Sequence, residues 1–499
     1  MPSSILLKNG TALIHDANDH VDALVTDILI EGDKIAKIAK DIPAPAGAEV
    51  IDCSDKLVSP GFVDTHHHVW QTQYKGRHAN ETLWQYMATG NLTSQLLNPT
   101  DAFWGQLAGC MEMIHGGTTT VVDYCHVTYS GEHARKAISA TLASGIRSVF
   151  CYAAMAKVTS WKPVTIDLNG LAGNVMADFE DVAKKGPYGD DGRVTVGFGF
   201  DGFPFLPKEY AAPLMSKLNE LKIEVITVHH TWWDLAGTSP TGLEKVDQSG
   251  VLDNRFLLAH SGNSTQADAD IMKKHGIHVS STPSTEMQME MGLPVMAFRT
   301  DLGIQNLCSF GVDCHSNNSA YIPDEARIGL QGARAARAQP HLDKGKLVSQ
   351  VGHTVEETFN LATIFGARGA KMGDKTGSIA EGKLADLVLF DMSSPAMVAG
   401  SIHNPIAAII LHSSPADIDT VIVGGQIRKR TSKLLPVKLD VEGQSVAGKD
   451  RLDWPGVAKA VVKSREGLQK QIDGIDMVEG ADRVKDWFHI TDSMLVDVP

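Results

Sequence analysis

The stretch Pro60-Gly61-Phe62-Val63-Asp64-Thr65-His66-His67-His68-Val69-Trp70 decides how this chain is read. An apolar run (Leu57, Val58, Phe62, Val63) ends in three consecutive histidines, and the pattern then turns polar. In an extended strand, successive side chains leave opposite faces. His66 and His68 therefore project to one side and His67 to the other. Two imidazoles on one side of a strand end supply half of a divalent-metal site. The remaining ligands must come from elsewhere in the chain.

Outward from this stretch, short apolar runs alternate with helical-looking segments. The runs are Leu57–Thr65, Thr118–Asp123, Ile146–Tyr152, Val194–Phe200, Ile223–His229, Phe256–His260, Ile277–Ser281 and Leu307–Asp313. Between them lie segments such as Ala102–Ile114, Ala134–Ala143, Leu206–Leu221 and Ala267–His275. Eight strand-then-helix units with nearly continuous apolar strands predict an α/β fold, a (β/α)8 TIM-like barrel buried on both sheet faces. Short strands flank it. On the N-terminal side, Ile5-Leu6-Leu7 leads through the turn Lys8-Asn9-Gly10 to Thr11–Ile14, and Asp27–Glu31 and Lys34–Ile38 flank the turn Gly32-Asp33 in a hairpin pattern. On the C-terminal side, Leu384–Asp391 and Ile418–Arg428 are strand-like. The expected division is a β-sandwich from residues 1–58 and 374–435, the catalytic barrel at 59–373, and an extension at 436–499.

Composition narrows the function. A net charge of -14 argues against nucleic-acid or anionic-membrane partners and leaves a small-molecule substrate. The six cysteines show no CxxC spacing, so free thiols in a reducing, cytoplasmic setting are expected. No apolar run is long enough to span a bilayer.

Barrel enzymes carry their chemistry at the C-terminal ends of strands. Those ends hold His66 and His68, Asp123 and His126, His229 and His230, His260, and Asp313. A mononuclear hydrolytic site needs three or four N/O ligands and an open position for water. His66, His68, His229 and Asp313 fit that need, with His229 preferred to its neighbour His230. Asp313 could also take a proton from the water, and His260 could polarise the electrophile or relay a proton. The fourth run offers no lysine to bridge a second ion, so one metal is expected.

The ordered set Pro60–His68, Val228-His229, Leu258-Ala259-His260 and Gly311-Val312-Asp313, with the terminal Gly377–Asp386, resembles the amidohydrolase superfamily. Within it, the chain is most similar to the cytosine deaminase-like and triazine-hydrolase-like branch, over roughly residues 5–430. The resemblance implies one divalent metal, Zn²⁺ with Fe²⁺ as the alternative, hydrolysis at a carbon, and a homo-oligomer. Trp70-Gln71 and Glu286-Met287-Gln288-Met289 are similar to a subgroup with aromatic or heterocyclic substrates. Deaminases of this branch place a glutamate three residues after the fifth-strand ligand. Here Trp232 stands there, leaving Glu286, His126 and His230 as candidate acids.

The same resemblance frames the other pocket candidates. Trp70 and Trp232 could form an aromatic slot or simply pack; Gln71 could bond substrate, and His315 could line the wall beside Asp313. His67 stays outside the chemistry. The expected function is metal-dependent hydrolysis of a C–N bond in a small aromatic or heterocyclic molecule. The alternatives are hydrolytic dechlorination of the triazine type and a non-catalytic binding protein on the same fold.

Overall fold

The computed structural model describes residues 4–171, 173–230, 240–292 and 295–496. Eight parallel strands run β1 (Phe62–His67), β2 (Thr118–Cys125), β3 (Arg147–Ala153), β4 (Val194–Gly199), β5 (Ile226–His230), β6 (Phe256–His260), β7 (His278–Ser281) and β8 (Cys308–Phe310). Each hydrogen-bonds the next in sequence order. Closure comes just past β8: Asp313 N donates to His66 O at 2.8 Å, and His68 N donates to Asp313 O at 2.9 Å. The (β/α)8 barrel expected from the eight apolar runs is the fold.

The helices after the strands start and stop on local chemistry. Asn98 caps Pro99–His115 by accepting from Thr100 N and Asp101 N, and Thr265 caps Gln266–His275 in the same way through Asp268 N. Gly105 and Gly109 lie one turn apart on the first of these helices and let it press on the segment after β1. A Cβ at these positions would lie 2.3 Å from Trp70 O and 2.2 Å from Val69 O. That contact fixes the chain leaving the histidines.

Two expectations need correction. The run Leu57–Thr65 is not one strand. Lys56–Pro60 pairs with Leu387–Asp391 in another sheet, and the barrel strand begins at Phe62. Pro60 has no N–H to continue a ladder, so the chain changes sheets there. The expected turn at Lys8-Asn9-Gly10 is instead a bulge inside one strand, Ser4–His15, whose register against Val21–Glu31 shifts between Leu7 and Gly10. Asn9, at φ 60°, takes the left-handed conformation that the bulge requires.

Strands from both chain ends join in one nine-stranded sheet. The edge strand Lys34–Ala39 is tied back to the segment that leads into Leu387–Asp391, with Ile35 N on Lys383 O and Ala385 N on Asp33 O. Its inner face buries Ile5, Leu7, Ile28, Ile30, Leu387 and Ile422. Among the described residues, no helix is long and apolar enough to cross a membrane.

Candidate active site

Period-two alternation in β1 has the predicted result. His66 and His68 turn into the barrel mouth and meet His229 from the end of β5 and Asp313 after β8. One ligand atom from each lies within 4.8 Å of all the others. Asp313 Oδ1 stands 3.2 Å from His66 Nε2 and 2.9 Å from His68 Nε2. Asp313 and His260 both adopt positive φ, 63° and 72°. Non-glycine residues hold that conformation only where their surroundings force it, and such strain collects at functional sites.

The donors suit a divalent cation. His68 Nδ1 lies 2.9 Å from Tyr124 O, an atom that can only accept, so this nitrogen carries the proton. His229 Nδ1 lies 3.1 Å from both Asp201 oxygens, and the same reasoning applies. The two Nε2 lone pairs then face each other at 3.3 Å. Such a contact is repulsive unless a cation lies between them. Both ring nitrogens of buried His66 also lack a hydrogen bond among the described residues.

Electrostatics agree. Burial drives His66 well below the ordinary histidine range. Burial also opposes the charge on Asp313, but the imidazoles of His66, His68 and His260 beside it hold it well below the usual carboxylate range. Neutral imidazole and ionised carboxylate are the forms a metal ligand needs. The set can hold a divalent metal.

Around the cluster, His260 Nε2 lies 3.8 Å from Asp313 Oδ2. Its Nδ1 bonds Thr282 Oγ1 at 2.9 Å and stands 3.5 Å from Glu286 Oε1. The buried His126 ring lies 4.0 Å, centroid to centroid, from His68. The structure thus brings His126 and His260 beside the proposed ligands, with Glu286 behind His260.

Other expected site residues have protein partners of their own, where they are described. His230 Nδ1 bonds Ser261 Oγ at 3.0 Å. Gln71 has both amide ends engaged, its Nε2 on Tyr86 Oη at 2.5 Å and its Oε1 accepting from Ser316 N at 3.1 Å. Trp70 is fully buried, edge-on to both Tyr74 and His126. Trp232 lies outside the described residues.

His315, expected in the pocket wall, is instead bonded to His67 on the face turned from the cluster. Alternation explains this, because His67 faces away from His66 and His68 and brings its partner with it. His67 Nδ1 lies 2.6 Å from Asp64 Oδ2, His67 Nε2 3.1 Å from His315 Nδ1, and His315 Nε2 3.4 Å from Glu112 Oε2. Burial pushes Asp64 up and lowers His67 to about 3 and His315 to about 4. With both rings neutral, His67 and His315 share one hydrogen bond, and His315 Nε2 stands beside Glu112. The chain ends on Glu112, which Lys75 pairs at 2.6 Å.

Asp201 escaped the sequence reading. It lies just past β4, where only a lysine was sought, and the signal that could have found it was a carboxylate at a strand end. Its charge and hydrogen bonds, working against burial, raise the pKa of His229. A carboxylate behind a ligating histidine fixes its tautomer and orientation.

The family model described as "Amidohydrolase family" matches residues 57–428. The chain belongs to the amidohydrolase family. A curated relative, the 5'-deoxyadenosine deaminase of Methanosphaera stadtmanae, is 28% identical over 450 residues, covering 87% of this chain and 95% of that protein. Among solved structures, an adenosine deaminase from Xanthomonas campestris with bound zinc superposes with a TM-score of 0.75 at 18% identity, covering 93% of this amidohydrolase and 98% of that chain. An atrazine chlorohydrolase from Arthrobacter aurescens, complexed with zinc, gives 0.74 at 19% identity and covers 92% and 100%. This amidohydrolase is a hydrolase whose His66–His68–His229–Asp313 cluster suits a divalent metal.

Proposed function

We propose that this amidohydrolase deaminates an amino-heterocycle of the adenine-nucleoside class: heterocycle–NH2 and water give the oxo-heterocycle and ammonia. The observation that carries this reading is the His66–His68–His229–Asp313 cluster with His260 beside it and Glu286 behind His260. The deaminase name of the curated relative supports the substrate class. His66, His68, His229 and Asp313 would hold the ion, Zn²⁺ first and Fe²⁺ by the same donor set. A bound ion of this kind supplies Lewis acidity and makes water nucleophilic near neutral pH.

The chain's own residues do the rest. Asp313 Oδ2 faces His260 rather than His66 or His68, and it receives the proton of the attacking water. His260, with Nδ1 held by Thr282, presents Nε2 to the heterocycle and delivers a proton to it. Glu286 backs His260 and stabilises its charge as the proton passes. His126 forms a wall beside His68. We place the enzyme in a reducing, cytoplasmic compartment, a reading supported by six free, buried cysteines.

The test is incubation of zinc-loaded protein with adenosine, 5'-deoxyadenosine, an aryl amide and a chloro-s-triazine. We expect one ammonia per nucleoside with the ring intact, and a loss of about 10³-fold or more in kcat/KM for Asp313→Asn. Chloride release without ammonia would favour the dechlorinase reading instead. Turnover by metal-free protein would overturn the role given to the cluster.

A further inference from the structure

Behind His260 lies a buried carboxyl that neither the metal cluster nor the proton path uses. Glu325 sits in the first turn of the helix Ile322–Leu342 and is 1% exposed. Its Oε2 accepts from Ser284 N at 2.8 Å. Ser284 belongs to the short helix Pro283–Gln288, which leaves the end of β7 and carries Glu286. Four residues on, Gly329 brings the same face of the long helix against the short one: a Cβ there would lie 2.8 Å from Pro283 Cγ. These two contacts seat the short helix on the long one.

A helix begins with backbone N–H groups that have no partner inside it. The residue before the first turn ordinarily accepts from the N–H of the second or third helical residue. Here that residue is Thr282, and its side chain makes no such bond. Its hydroxyl is engaged with His260 Nδ1 instead, at 2.9 Å. Pro283 has no N–H to satisfy. Ser284 is the second residue of the helix, and Glu325 supplies its acceptor, while Glu286 Oε1 accepts from Thr282 N at 2.9 Å. Capping has passed from the threonine to two glutamates.

Burial pushes Glu325 well above the usual carboxylate range, and Asp64 and Glu286 nearby add to it. The group is a neutral acid. What it offers Ser284 is an acceptor oxygen rather than a charge. Without that oxygen, Ser284 N would be a buried donor with no partner, and the Thr282 hydroxyl is the group placed to turn towards it.

We propose that Glu325 is a positioning residue for His260: by holding Ser284 N it caps the short helix from outside and leaves the Thr282 hydroxyl to fix the imidazole. This deepens the deaminase reading and, for the role of His260, rests on it.

The experiment uses full-length, zinc-loaded protein with isotope-labelled histidine, read by NMR, the His260 ring signals being identified by their loss in His260→Gln. Glu325→Leu removes the acceptor and fills its space, Glu325→Met is a second apolar variant, unbranched like glutamate, and Glu325→Gln keeps an acceptor oxygen. In both apolar variants the Nδ1 proton of His260 should exchange with solvent about tenfold faster or more, with zinc content as in wild type. Their kcat on the nucleoside amine should fall about tenfold, with KM within about twofold. Glu325→Gln should restore both the proton's protection and kcat to within about twofold of wild type. Adding Glu325→Leu to Thr282→Val should lower kcat by less than about twofold more, because the two residues act on His260 in series.

Unchanged exchange of the His260 proton in both apolar variants overturns the proposal. Glu325→Gln behaving like Glu325→Leu also overturns it, since the acceptor oxygen would then not be what matters. Loss of zinc in both apolar variants, or a further loss of about tenfold on top of Thr282→Val, overturns it as well, because Glu325 would then act elsewhere than on His260. If wild-type protein turns over no nucleoside amine, the deaminase reading falls, and the His260 proton and the zinc content alone decide the role of Glu325.

Discussion

His68 Nε2 and His229 Nε2 face each other across 3.3 Å, although 161 residues separate them in the chain. Each ring is held from behind by an acceptor on its Nδ1, a backbone carbonyl for His68 and the Asp201 carboxylate for His229. Two lone pairs aimed at one point, with Asp313 and His66 around it, mark where a cation would be held.

Asp201 should therefore govern metal affinity without being a ligand. Asp201→Asn keeps the shape but removes the charged acceptor that orients His229. Zinc affinity should fall about tenfold to hundredfold, measured by competition with a chromophoric chelator. Unchanged affinity would mean that His229 is held by something else.

His67 separates a structural role from a metal one. In His67→Ala the protein should keep its full metal content but lose about 2–3 kcal/mol of stability in urea unfolding, because buried Asp64 and His315 lose their shared partner. Loss of zinc with an unchanged unfolding midpoint would contradict this placement.

Gly311 sits where β8 meets β1 to close the barrel. A Cβ there would lie 2.5 Å from His66 O and 2.7 Å from His66 N. Gly311→Ala should cost about 2–3 kcal/mol and weaken zinc binding, because Asp313 N reaches His66 O across this join. Calorimetry and metal analysis of the same sample test both effects. Wild-type stability and metal content together would show that the join can widen freely.

Acid should destabilise the fold through histidines held neutral by burial. His278 in β7 is lowered from 6.5 to about 3, by burial first and then by the Lys371 charge. Below pH 6.5 the unfolded chain gains a proton that the folded chain refuses until about pH 3. Its contribution is therefore complete above that window and lost progressively as pH falls through it, by about 1.4 kcal/mol per pH unit. Melting temperatures between pH 7.5 and 5 should fall less steeply in His278→Gln than in wild type. Equal slopes would remove His278 from the account.

Much of this was legible in the chain because it depends on local periodicity. Eight buried strands write themselves as eight apolar runs, and period-two alternation separates His66 and His68 from His67 before any partner is known. The join at Pro60 and the bulge at Asn9 were misread for the same reason. Both depend on which neighbouring strand a residue pairs with, and an apolar run does not encode its partner.

The residue types by themselves determined the barrel, the ligand chemistry and the strand ends at which it sits, since these follow from side-chain alternation and from what a divalent ion accepts. Only the tertiary structure decided which distant groups stand behind those ligands. Asp201 behind His229, the Asp64–His67–His315–Glu112 chain on the opposite face, and Glu325 against the start of the Pro283–Gln288 helix all arise from closure of the barrel and the packing of its outer helices. Closure brings residues together through space, at separations that carry no sequence pattern.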